Sequence, residues 1–161
     1  MKLVIACIGR MKSGPEKELF ERYIERAQKS GRALGYKSIS VSETSEDRAV
    51  DATHRKRNEA AALLSPVTDN QSRLVVFDEH APSLSSPAFS KKLTNWKDGG
   101  VPSTVFAIGG PDGLDENVRQ QADLEVSFGR LTMPHQIVRV LVAEQLYRAI
   151  SIEAGHPYHR E

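Results

Sequence analysis

Three apolar runs constrain this chain more than any other feature: residues 2–9 (KLVIACIG), 73–78 (RLVVFD) and 103–108 (STVFAI). None alternates polar with apolar residues, so each reads as a strand buried on both faces, the pattern of a parallel sheet covered by helices. The segments between them carry apolar residues at helical spacing. Ser13, Gly14 and Pro15 open a helix bearing Leu19, Phe20, Tyr23, Ile24 and Ala27, and Ser86 and Pro87 open another bearing Phe89, Leu93 and Trp96. Residues 36–41 (YKSISV) alternate and are predicted to form a half-exposed, peripheral strand. A charged helix is predicted over 46–64, a short one from Asp115, and a last strand over 124–128. Five alternations of strand and helix predict an α/β fold with a mostly parallel sheet, helices on both faces and the first strand central. The 161 residues contain no linker-like stretch, so one domain spanning 1–161 is expected.

A formal net charge of +1 excludes the strong basic bias of a general nucleic-acid coat, though not a local, shaped RNA contact. Cys7 is the sole cysteine and sits in an apolar run, which suits packing in a reducing cytosol. No window approaches the roughly 18 apolar residues of a membrane span, and no apolar leader follows the first lysine. A soluble, cytoplasmic protein is the expectation.

The last stretch, 131–161, predicts a buried helix begun by Thr132 and Pro134 and stopped by Gly155 and Pro157. At 100° per residue, His135, Arg139, Val142, Ala143, Leu146 and Ile150 share one side. Ile137, Val138, Val140, Leu141, Ala149 and Ile152 widen the apolar surface beyond one small core. That width predicts a homodimer, with Leu141, Val142 and Leu146 as interface candidates. Arg139 is the anomaly, because a guanidinium in an apolar strip must snorkel to the rim, be paired, or face a ligand or partner carrying negative charge.

In such sheets ligands sit beyond the carboxyl ends of the strands, where Phe77, Gly109 and Phe128 fall. Gly109, Gly110 and Gly113, around Pro111, allow backbone to approach a ligand, and 128–133 (FGRLTM) forms a second glycine-bearing loop at the same edge. Neither loop has the Rossmann glycine pattern or an acidic residue placed to read a ribose, so an adenosine-like ligand would be held by backbone groups in a folded pose. Gly9 and Gly14 have phosphate-loop spacing, but Pro15 and Glu16 stand where Lys and Ser or Thr are required. Arg55, Lys56 and Arg57, beside His54, read as a solvated helix face in preference to an RNA contact. His156 and His159 make a poor metal set without a thiolate or spaced acid, so no metal is expected. Spacing alone neither shows nor excludes a catalytic triad. The polar tail HPYHRE concentrates imidazoles, a phenol and a guanidinium, unusual chemistry for a frayed end.

Over essentially its whole length, and most specifically in IGGPDGL, LTMPHQIVRVLVAEQLYRA and HPYHRE, the chain resembles the ribosomal RNA large-subunit methyltransferase H family of the SPOUT superfamily. The resemblance implies a SPOUT-type fold with a C-terminal trefoil knot, a homodimer, S-adenosyl-L-methionine as cofactor, and methylation at N3 of a pseudouridine in large-subunit rRNA of the assembled ribosome. It places cofactor contacts on Phe77, Gly109 with its neighbour Gly110, and Phe128, Gly129, Arg130, Leu131, Thr132 and Met133. It places His135, Arg139, Tyr158 and His159 near the target base; their side-chain chemistry suits His159 or His135 as base, Arg139 as electrostatic partner and Tyr158 as positioner, with positioning alone, without a dedicated base, as the alternative. The family more often has leucine at Phe77, and tends to carry Gly-Lys where this chain has Ala81 and Pro82. A small-molecule methyltransferase and a non-catalytic ribosome-assembly factor are the competing classes.

Overall fold

The computed structural model describes residues 1–68 and 70–160. Its core is a five-stranded sheet of β1 (Lys2–Ile8), β2 (Ser38–Thr44), β3 (Arg73–Phe77), β4 (Ser103–Ile108) and β5 (Leu124–Val126), in the order β2-β1-β4-β3-β5. Every pairing is parallel. β4, not β1, is therefore the middle strand, although β1 is paired on both sides. The alternating edge pattern of β2 begins two residues later than predicted, because Tyr36 lies in the core and its hydroxyl donates to Glu153 at 2.7 Å.

Strand residues alternate between two cores, as the two-residue repeat of a strand requires. Leu3, Ile5, Cys7, Val75, Phe77, Phe106 and Ile108 face one layer, made by α1 (Pro15–Gly31), α3 (Ser86–Asp98) and α5 (His135–Glu153). Ala6, Ile8, Leu74, Val76, Val105 and Ala107 face the other, made by α2 (Ala52–Leu64) and α4 (Glu116–Gln120). Buried in the first core, the Cys7 thiol is pushed up to about 12, inert to ionisation at neutral pH.

Two helix starts differ from the sequence reading. α2 begins six residues later than predicted, because the Asp47 side chain accepts from the Ala49 amide and Asp51 caps the helix by accepting from the His54 amide. Such local bonds compete with helix and fix its start. α5 begins at His135 behind Pro134, but with no side-chain cap. Thr132 is not the cap, since its hydroxyl donates instead to Glu79 at 2.7 Å.

α5 lies between α1 and α3, against which it makes its main contacts, so most of its apolar circumference is used within the chain. Val142 and Leu146 are wholly buried there and do not belong to any surface. Of the predicted interface, Leu141 remains half-buried, with Ile137 38% exposed one turn away.

Candidate active site

Beyond the carboxyl ends of β3, β4 and β5 lies a cavity of about 720 Å³. The loop after β4 supplies Gly109 to Leu114, the loop after β5 supplies Phe128, Gly129 and Leu131 to Pro134, and α5 supplies His135 and Val138. Its floor is Phe77, Ile108 and Val126. Phe77 stacks parallel on Phe128, with centroids 5.2 Å apart and planes 7° from parallel.

The two loops are built differently. In the first, a Cβ on Gly109 would stand 3.0 Å from the Gly113 carbonyl, and one on Gly110 would stand 3.0 Å from the Ile8 side chain. Gly109 is thus required by the loop's own closure, before any ligand is considered. Gly113 has φ +83° with open space where a side chain would project. The loop is anchored from outside by Arg55, whose Nε and NH2 donate to the two oxygens of Asp112 at 2.7 and 2.9 Å. That pair holds the Asp112 carboxyl below the usual carboxylate range. Arg55 also donates to the carbonyls of Ala49 and Val50, so it binds the loop before α2 to the loop after β4. It is a clamp, not part of a solvated face.

The second loop is looser. Ser127 accepts from the Gly129 amide at 2.9 Å, folding the chain back at a residue with φ +129°, and Leu131 is 79% exposed. Arg130 is exposed and does not line the cavity, whereas Thr132 and Met133 do.

Among the residues expected near a target base, the structure brings only His135 to the cavity. Arg139, 1% exposed, points the other way. Its NH1 donates to Glu43 at 2.9 Å, and its NH2 donates to the carbonyls of Gly9, at 2.9 Å, and Ile8. It neither snorkels nor faces the cavity, but ties α5 to the ends of β1 and β2. Burial of a cation is tolerable where a carboxylate and two carbonyls meet its terminal donors; its Nε is left without a partner.

Tyr158 and His159 lie at the far end of α5, whose 19 residues span about 28 Å at 1.5 Å per residue. Gly155, at φ +63°, stops the helix as predicted, and the chain then turns back on it. The Tyr158 hydroxyl donates to Glu144 at 3.0 Å and lies 3.4 Å from that of Tyr23. Its ring packs on Tyr147 at 4.5 Å and under the Arg148 guanidinium at 4.8 Å. Arg148 is in turn held by Glu144, its Nε donating at 2.8 Å, and its NH1 lies 3.4 Å from His159 Nδ1. Burial, then the neighbouring Tyr23 and Glu144, push the Tyr158 phenol well above its ordinary range. The tail is docked, not frayed. Glu161 lies outside the described residues.

A cavity walled by backbone loops and apolar side chains, with several charged groups among its lining, at the carboxyl edge of a parallel sheet defines a nucleotide-type small-molecule site. Residues 1–159 match the family described as Predicted SPOUT methyltransferase, and the chain belongs to the SPOUT methyltransferase family. It is accordingly a methyltransferase, an enzyme that uses a methyl-donor cofactor. It is 49% identical over 160 residues to the ribosomal RNA large subunit methyltransferase H of Rhodopseudomonas palustris, covering 99% of both chains. The protein of that name from Nitrobacter hamburgensis is 51% identical over 160 residues, again 99% of both, and that from Methylocella silvestris is 48% identical over the full length of both. Among the described residues no group of three or more His, Cys, Asp or Glu could hold a metal, and no helix is long and apolar enough to cross a membrane.

Proposed function

We propose that this chain, acting as a single cytoplasmic domain, uses S-adenosyl-L-methionine to methylate N3 of a pseudouridine in large-subunit rRNA of the assembled ribosome. The supporting observation is the cavity itself, enclosed by two glycine-bearing loops in a chain about half identical, end to end, to proteins named as ribosomal RNA large subunit methyltransferases. The residues present fit the cofactor: Gly109 to Gly113 and Gly129 leave main-chain groups clear, and Phe77, Phe128, Val126 and Met133 give an apolar wall for a planar base. When bound, the cofactor supplies an electrophilic methyl group on a sulfonium. The protein must hold the nucleophilic nitrogen in line and help its proton leave. His135, on the cavity wall, is positioned to accept that proton. Tyr158 and His159 orient the target ring, while Arg139 acts at a distance by holding α5 in place.

The separation of the two ends of α5 means that one chain does not bring its own tail to its own cavity. The reading therefore requires a homodimer, in which the tail of one subunit completes the cavity of the other. Leu131, Ile137 and Leu141 are the apolar surface available to it. The trefoil knot of this family would lie in the C-terminal half that carries both loops.

The test is transfer of a radiolabelled methyl group to ribosomes from a strain lacking the enzyme, beside naked rRNA of the same sequence. Transfer to large-subunit rRNA in assembled ribosomes, with little to naked RNA, is expected. Cofactor binding without transfer would favour a small-molecule substrate, and cofactor-independent ribosome binding without transfer would favour an assembly factor.

A further inference from the structure

The charged groups that line the cavity are almost all spoken for. Asp112 is held by Arg55, Asp78 faces Arg119 at 3.5 Å, and Glu79 accepts from Thr132. Lys56 remains. It lies half-buried on the first turns of α2, lines the cavity beside Asp112, and makes no hydrogen bond or ion pair among the described residues. Lys56 acts on Asp112 through space, without a hydrogen bond or ion pair, since the two oxygens of that carboxylate accept from Arg55. A partly desolvated ammonium with no acceptor is unfavourable unless a ligand brings one.

We propose that Lys56 binds the carboxylate of the methionine moiety of the methyl donor. The inference rests on the S-adenosylmethionine reading above and deepens it. Two features favour a cavity ligand over an RNA phosphate. Lys56 is turned into the cavity wall, whereas the neighbouring Arg48 and Arg57 are the exposed cations of the same region. The guanidinium of Arg119, the other lining cation, already faces Asp78 beside Phe77, whereas Lys56 on the α2 side has no ion pair. Arg55 contributes indirectly, since its grip on Asp112 keeps that carboxylate from capturing Lys56.

Calorimetry on the purified full-length protein, with S-adenosylmethionine and its decarboxylated form, tests this. The two ligands share the adenine, the sulfonium and an amino group, so their affinity ratio isolates the carboxylate. Wild type should prefer the carboxylate-bearing ligand by about tenfold or more, the usual size of a charge-assisted contact. Lys56→Met should bring the ratio close to one by weakening that ligand alone, and Lys56→Arg should restore most of the preference, with melting temperature unchanged in both. A preference that survives Lys56→Met overturns the assignment, as does a wild type that binds both ligands equally. Unchanged cofactor affinities with a shallower salt dependence of ribosome binding would also overturn it and give Lys56 to the RNA. If wild type binds neither ligand, the cofactor reading falls as well, a failure distinct from the others.

Discussion

At its amino-terminal end α5 enters beside an open cavity walled by backbone, apolar side chains and several charged ones, whereas at its carboxyl-terminal end it is closed by a box of polar side chains bonded to one another. In the first region glycines and a stacked phenylalanine pair keep volume free. In the second, Glu144, Arg148, Tyr158 and Tyr23 spend their donors and acceptors within the chain. A site that must admit a ligand cannot fill itself, and a tail that must present groups to something else cannot be loose. Both ends are ordered, but only one is hollow.

Arg139 provides the largest expected break, because it secures the hollow end. Arg139→Met takes the guanidinium from the carbonyls of Ile8 and Gly9 and from Glu43, which keeps only the Met11 amide, and should cost about 3 kcal/mol of folding stability, read from denaturant midpoints. Arg139→Lys, which cannot span three acceptors from a planar fork, should recover only part of it. If Arg139→Met folds normally and loses only turnover, the guanidinium serves the substrate after all.

Gly109→Val comes next. The added Cβ meets the Gly113 carbonyl at 3.0 Å, so the loop must open, at a cost of about 2 kcal/mol. Cofactor affinity should fall by roughly a hundredfold if the loop is the binding surface. Retained affinity in calorimetry would move the cofactor elsewhere.

At the docked end, Tyr158→Phe removes one hydroxyl from Glu144 and should cost about 1 kcal/mol in stability. Cofactor affinity should not change, because the tail, which lines no part of its own chain's cavity, is assigned to the target ring and not to the cofactor. The comparison sharpens if this variant is mixed with Gly109→Val. Should Tyr158→Phe alone cripple transfer, heterodimers would regain activity where tails and cavities are shared between subunits, and stay inactive, with subunit exchange verified, where they are not.

The smallest effect concerns Glu59, buried beneath Gly110 and accepting from the Asp47 amide. Burial raises its pKa, so the folded state holds the proton more tightly than the unfolded one. Stability from this group is therefore present below its unfolded pKa and declines as pH rises through its folded pKa. Glu59→Gln should flatten that decline in thermal melts as pH rises above about 4, the ordinary glutamate range. An unchanged slope would show that its protonation is not linked to folding.

Much of this was legible in the chain. Continuous apolar runs require a sheet covered on both faces, and Gly155 with Pro157 requires the last helix to end there, because those constraints act within a few residues. The glycine loops could be located because strand ends and glycines are local features. The Arg55 clamp could not: its partner Asp112 is 57 positions away, and a basic cluster on a helix looks the same whether solvated or paired. The start of α2 was misplaced because acidic side chains can either stabilise a first helical turn or bond to their own backbone, and sequence does not say which.

What the sequence determined by itself was the class of architecture, the edge of the sheet at which a ligand would sit, and the family resemblance. What only the tertiary structure decided was where each polar group finds its partner. α5 is wide and apolar because α1 and α3 flank it, so its width was weaker support for a dimer than it looked. Arg139 faces β1 rather than the cavity, and the tail folds onto Glu144 and Arg148. Helical periodicity fixes the angle at which a side chain leaves its helix, but the neighbour it meets there comes from distant chain, and for a buried charge that neighbour decides the role.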